Sequence, residues 1–316
     1  MSARHSRIGV NLTGPSLGSE SRIGAKLEAD FAGGFPHSGT AARQPQLRLR
    51  HAWVEIACPV WSIRFGQDWA LISGPFPKTA SFVVGAGKGN LWMRLPQISG
   101  RIDAGMFSFA ASLNRPVAGN IKYDAFAAGD LDVVGDGERS GLPWAMARVW
   151  VKGKGMTLSA SVHYGKEQVN DLSGISHDKK SYSANADLQV VMGPAALTVR
   201  AFTGENLNTF LGGVIQGITS DSSSVTNIKS SGGWAQVVVK LNKQWTFTAG
   251  GGLDDPDDTT LLPGMRARND WVFSNIAYTL RQNLTFMLEA SCLQTAYIDD
   301  KSGKNLRWCF VTQLNF

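Results

Sequence analysis

The 316-residue chain carries 31 Lys and Arg against 25 Asp and Glu and is 43% hydrophobic. No stretch approaches the ~18–20 consecutive apolar residues of a membrane-crossing helix, which leaves open a barrel whose strands need only ~9–11 residues each. No block of consecutive Lys or Arg supports a nucleic-acid surface, and Cys58, Cys292 and Cys309 have no metal-ligand spacing, so nucleic acid, metal and cofactor are not expected.

Alternation of period two, the mark of a strand with one apolar and one polar face, recurs from end to end. The first strand, 7–15, sets Ile8, Val10 and Leu12 against Arg7, Asn11 and Thr13. The second, 20–33, sets Ile23, Ala25, Leu27, Ala29 and Phe31 against Arg22, Gly24, Lys26, Glu28 and Asp30. Further strands are predicted at 45–57, 60–70, 90–101, 104–115, 143–153, 156–167, 181–192, 196–206, 232–242, 245–254, 270–281, 284–298 and 305–316. Alternation does not fix the facing of 90–101 and 270–281. The last strand puts Leu306, Trp308, Phe310, Leu314 and Phe316 on one parity and Arg307, Gln313 and Asn315 on the other.

Connections alternate between short ones, such as RIDA at 101–104 and GKG at 153–155, and long ones. The long set is GFPHSGTAAR, 71–89, 116–142, 168–180, 207–231, 255–269 and 299–304. That rhythm puts all long loops at one end of an up-and-down sheet, as in an outer-membrane barrel. The fold class expected is all-β, a transmembrane up-and-down antiparallel barrel. Fifteen strands are counted and such barrels have even numbers, so sixteen strands are expected in the full protein, with the first strand and the signal segment lying before Met1. Trp69, Trp144, Trp234, Trp245, Trp271 and Trp308 lie at or near strand ends, where an interfacial girdle belongs.

SRIG (6–9), LEADFAGG (27–34), LRLRHAWVE (47–55), IRFGQDWALIS (63–73) and RLPQIS (94–99) resemble the trimeric Gram-negative porins, in particular the DcaP-like porins associated with dicarboxylic acids. Gln67-Asp68-Trp69 and SGRID (99–103) depart from the family's pattern. The resemblance implies a homotrimer in the outer membrane, in contact with lipid and lipopolysaccharide. It also implies an inward-folding constriction loop at 71–89 within a single barrel domain spanning 1–316, and Phe316 matches the C-terminal signal read by outer-membrane assembly machinery. That loop is apolar at Phe76, Phe82, Val83 and Val84, as packing on a wall requires.

The lumen parity collects Arg7, Arg22, Lys26, Arg48, Arg50, Arg64, Arg148, Lys152, Arg200, Lys240 and Arg307, against Glu28, Asp30, Asp68, Asp187 and Glu289. An excess of cations in a narrow wet passage favours small anionic solutes. Arg48, Arg50 and Arg64 are expected at the constriction, Lys78 or Lys88 on the loop, and Asp68 opposite them to create a transverse field. Arg22, Lys26, Arg148 and Arg200 complete the expected pore lining.

The function read from this is passive diffusion of small hydrophilic solutes with anion preference, without enzymatic activity. The alternatives are a barrel enzyme or adhesin, or a soluble multi-stranded β protein. Ser159, Ser161 and His163 share a strand face, but a Ser-His pair needs hydrogen-bond geometry and an orienting acid, and a polar lumen produces such neighbours by chance. DLDVVGDGE (130–138) fails the calcium-loop pattern at Val134, and DDPDD (254–258) reads as a solvated turn.

Overall fold

The computed structural model describes residues 5–18, 20–32, 47–81, 83–116, 135–220, 224–281, 283–299 and 302–316. Phe82, the GFPHSGTAAR loop, most of 116–142 and residues 130–134 of the calcium-like stretch lie outside these. The strands are β1 (Arg7–Leu17), β2 (Ser21–Asp30), β3 (Arg48–Ala57), β4 (Trp61–Trp69), β5 (Arg94–Ala104), β6 (Phe107–Asn114), β7 (Trp144–Gly153), β8 (Met156–Asn170) and β9 (Ser176–Met192). Then come β10 (Ala195–Glu205), β11 (Ile218–Ser220), β12 (Val225–Asn227), β13 (Lys229–Lys240), β14 (Trp245–Pro256), β15 (Arg266–Leu280), β16 (Leu284–Tyr297) and β17 (Ser302–Leu314).

Fifteen of these form one antiparallel sheet in chain order, with β1 and β17 as its unpaired edges. They are the fifteen strands that alternation marks. β11 and β12 make a separate small hairpin inside the β10–β13 connection, which alternation does not signal.

Two connections differ from expectation. The RIDA turn is strand, and the chain reverses one step later at Gly105–Met106, where Gly105 takes a left-handed φ of 61° that suits a residue without Cβ. The predicted long loop 168–180 is mostly ladder: β8 and β9 pair from Gly153–Met156 turn to rim, through Lys166↔Lys180 and Asn170↔Ser176. Polar side chains there conceal the strand because they rise beyond the apolar band.

The two faces differ in chemistry. On β8, Met156, Leu158, Val162 and Tyr164 are exposed, while Ser159, Ser161, His163 and Glu167 are buried. On β9, Tyr182 is exposed and Ser181, Ser183, Asn185 and Asp187 are buried. Trp308 and Phe310 stand fully outward on β17, with Phe310 stacked on Phe286 at 6.3 Å. Exposed apolar and buried polar side chains invert the arrangement of a water-soluble domain; such a band is stable against hydrocarbon. Among the described residues no helix is long and apolar enough to cross a membrane.

The tryptophan girdle is corrected in part. Trp245 and Trp308 face outward, and so does Trp61, but Trp144, Trp234 and Trp271 are buried on the inner face. Trp69 also points inward, against Phe76 and Trp92 at 4.8 and 5.9 Å. Trp61, Trp69, Trp144 and Trp245 sit at strand ends, whereas Trp234, Trp271 and Trp308 lie inside β13, β15 and β17, so position along the strand does not separate outward from inward tryptophans. The three cysteines are free.

Ala160 lies midway along β8 on the outward face, so Ala160→Arg is expected to cost about 2–4 kcal/mol while Ala160→Leu is near neutral. Reversible unfolding in lipid vesicles measures both.

Candidate functional site

On the inner face of β2, β3 and β4 the charges interlock. Lys26 Nζ lies 3.0 Å from Glu28, Arg50 Nε donates to Glu28 at 2.6 Å, and Arg50 Nη1 donates to Asp30 at 2.9 Å. Arg48 forks onto Asp30 at 3.0 and 2.7 Å. Arg64 bonds Glu55 at 3.1 and 2.8 Å and also bonds Asp68, which His51 Nδ1 meets at 2.8 Å. A register shift builds this: Glu28 pairs with His51 and Ala29 with Leu49, leaving Arg50 as the extra residue of a bulge. The bulge puts both Arg50 and His51 on the inner face, where strict alternation would send His51 to lipid.

Four Arg–Trp stacks extend the wall. Arg64 lies 4.0 Å above Trp53, Arg94 4.6 Å above Trp69, and Arg101 and Arg148 lie 4.9 and 5.0 Å from Trp150. A guanidinium held flat on an indole keeps its charge and loses freedom. A cavity of about 330 Å³ opens against them, lined by Arg64, Asp68, Trp69, Arg101, Arg148 and Trp150. A larger cleft of about 710 Å³, near Ile98, Leu113, Leu142 and Pro143, belongs to the outward face and faces none of these stacks.

Segment 70–93 joins neighbouring strands β4 and β5, yet its partners lie on distant ones. Arg148 Nη1 donates to the carbonyls of Leu71 (3.1 Å) and Ser73 (2.8 Å), and Arg200 donates to the carbonyl of Ile72. Gln236 Oε1 accepts from Lys78 N at 2.8 Å, and Asn275 Nδ2 donates to Lys78 O at 2.8 Å. Glu289 accepts from Thr79 Oγ1 (2.8 Å) and Ala80 N (2.7 Å). Asn90 Oδ1 takes Trp234 Nε1 at 3.1 Å, and Asn269 Nδ2 donates to Gly87 O at 2.6 Å. Gly89, at φ 96°, lies against the backbone of Gly233 and Leu253 where no Cβ fits. Polar side chains of β7, β10, β13, β15 and β16 thus satisfy an irregular backbone that would otherwise be buried unpaired.

Several expected lining residues have different placements. Arg200 is fully buried and Arg148 nearly so: Asp187 serves both, at 2.7 Å from Arg148 and 3.3 Å from Arg200, with segment 70–93 above them. Both anchor the segment; Arg200 is covered by it, while Arg148 also lines the cavity beside Trp150. Asp68 does not stand opposite Arg64; both sit on β4, four residues apart and bonded to each other. Lys26, Arg48, Arg50 and Arg64 lie together on one wall, each paired with an acid, while Arg22 is exposed nearer the turn end of β2. Lys88 stacks 5.2 Å from Trp271.

Glu55 and Arg94 were missed by sequence reading. Glu55 has the parity opposite to Arg48 and Arg50 and reaches the inner face only because of the bulge at Arg50, which alternation does not signal. Arg94 opens β5, the strand whose facing alternation leaves open. Among the described residues, Arg94, Lys78 and Lys88 make no ion pair. The Ser-His reading also changes: His163 is buried between Trp144 and Phe210, its nitrogens 2.8 Å from Ser183 and 3.0 Å from Ser181. Ser159 instead meets Arg148 and Asp187.

No family model matches the chain, and no curated sequence matches it. Solved structures do match. The outer membrane channel DcaP of Acinetobacter baumannii aligns with a TM-score of 0.81 at 20% identity, covering 99% of this chain and 86% of that one. The fold is that of an outer-membrane porin. The anion-selective porin from Comamonas acidovorans aligns at 0.60 and 15% identity over 99% and 89%. The trimer form of OmpT, an outer membrane protein of Vibrio cholerae, aligns at 0.59 and 11% over 97% and 90%.

Arg200→Met removes a buried partner of Asp187 and the donor to Ile72, so folding stability should fall by about 3–5 kcal/mol. The urea midpoint of the refolded protein in detergent checks this; an unchanged midpoint would show that Arg148 alone suffices.

Proposed function

We propose that this protein is an outer-membrane channel for passive diffusion of small hydrophilic solutes, narrowed by segment 70–93 and favouring anions of the dicarboxylate type. The single observation that carries the anion preference is the contrast between paired and unpaired cations. Along β2–β4 each of Lys26, Arg48, Arg50 and Arg64 has an acidic partner, so this ladder adds little net field. Arg94, stacked on Trp69 at the foot of the segment, and Lys78 and Lys88 within it supply the excess. Charges at a constriction act on every passing ion, because the water column is thinnest there.

The exposed apolar band supports contact with outer-membrane lipid and lipopolysaccharide. The trimer form recorded for one structural neighbour supports a homotrimer. DcaP and the Comamonas porin, named a channel and an anion-selective porin, support the solute class.

The protein refolded in detergent and recorded in planar bilayers under a salt gradient should show conductance steps with an anion-favouring reversal potential. Arg94→Gln should lower the anion-to-cation permeability ratio about 2- to 5-fold, since one unit charge near contact in water contributes on the order of 1 kcal/mol. Cation preference in the unaltered protein would discard the dicarboxylate reading; absence of conductance from an inserted barrel would discard the channel.

A further inference from the structure

Segment 206–216, between β10 and the small β11–β12 hairpin, folds back onto the inner face. Leu207, Phe210 and Val214 are fully buried. Phe210 packs on His163 at 4.7 Å and Trp144 at 5.5 Å, both inner-face residues of β8 and β7. Asn206 is tied three ways: its N–H donates to Ile228 O at 3.0 Å, Nδ2 to Glu167 at 2.8 Å, and its carbonyl accepts from Ser181 Oγ at 2.8 Å.

The turn that follows grips segment 70–93. Gly87 N donates to Leu211 O at 2.7 Å and Trp92 N to Phe210 O at 3.1 Å. A Cβ on Gly212 would collide with the Leu91 side chain, and one on Gly87 would stand 3.2 Å from Ile215. Asn206, Leu211, Val214 and Ile215 all take left-handed backbone angles, φ 52°, 65°, 52° and 61°. Two of them are β-branched, for which that region is strained, and such strain persists where surrounding packing over-determines the conformation.

We propose that residues 206–216 are a positioning clamp that fixes the 84–92 half of the constriction segment, with Phe210 as the anchor. Its role rests on the constriction reading above, but the grip itself does not. The other half of the segment is held directly by wall side chains from Gln236, Asn275 and Glu289, through residues 78–80. The 84–92 half also has Asn269 and Trp234, yet its backbone donors at 87 and 92 have no wall partner and go to the clamp. The clamp thereby sets the height of Lys88 and the seat of Trp92 beside Arg94.

The test needs no solute. Hydrogen exchange on the refolded, unaltered protein should find the Gly87 and Trp92 amides protected, and rapid exchange at both would overturn the clamp. A cysteine placed at Lys88, with Cys58, Cys292 and Cys309 changed to Ser, then reports mobility through its reaction rate with a charged methanethiosulfonate. Phe210→Ala should raise that rate at least about tenfold, given what deleting a buried Phe costs, and Phe210→Leu should restore most of the slow rate. An unchanged rate in a heat-modifiable, folded Phe210→Ala barrel overturns the proposal. If Phe210→Ala does not fold, Gly212→Val, which keeps the anchor and displaces Leu91, must raise the rate instead; if that rate is unchanged, the proposal falls. Loss of conductance in the unaltered protein, with 87 and 92 still protected, would sink the channel reading and leave the clamp standing.

Discussion

The described backbone of segment 70–93 lies outside the sheet ladders, on the inner face of strands whose outer face is apolar. Much of the inner wall from β7 to β16 answers that constraint. Amide and carbonyl groups in such a place must find partners in the wall or in a second loop. Arg148, Arg200, Gln236, Asn269, Asn275 and Glu289 provide them, from strands as far as 210 residues along the chain. The buried arginines are tolerated for the same reason. Two guanidiniums share the carboxylate of Asp187, and the carbonyls of Leu71, Ile72 and Ser73 absorb donors that one acid cannot.

The same requirement divides the charges by role. Buried cations hold the segment. Cations on β2–β4 are interlocked with Glu28, Asp30, Glu55 and Asp68, which stiffens the wall and cancels most of its field. A formal excess of arginines along a lumen parity is therefore a poor measure of selectivity. On the reading proposed above, selectivity depends instead on which guanidinium makes no ion pair, and among the described residues at the foot of the segment that is Arg94, 4.6 Å over Trp69.

Much of the fold was legible because alternation is local. Met156 to Tyr164 and Tyr182 to Val190 announce their faces within a few residues, and so does Leu306 to Phe316. What lay beyond reach depended on events that alternation cannot register. The bulge at Arg50 adds one residue and turns His51 inward. Trp144, at the start of β7, and Trp234 and Trp271, inside β13 and β15, face inward and are buried. Arg200 has the right parity for a solute contact and is buried because a segment 128 residues earlier covers it. Parity gives a side, not what lies over it. The placement of Asp68 beside Arg64 was open to inspection, since a bulge-free strand sets residues four apart on one face.

The most direct test of the account replaces residues 75–89 by a short glycine-serine link and compares single-channel conductance and reversal potential with the unaltered protein. If the segment narrows the passage and carries its excess charge, conductance should rise severalfold and anion preference should fall. A folded, inserted barrel whose conductance and selectivity do not change would contradict it, and the passage would have to be controlled elsewhere.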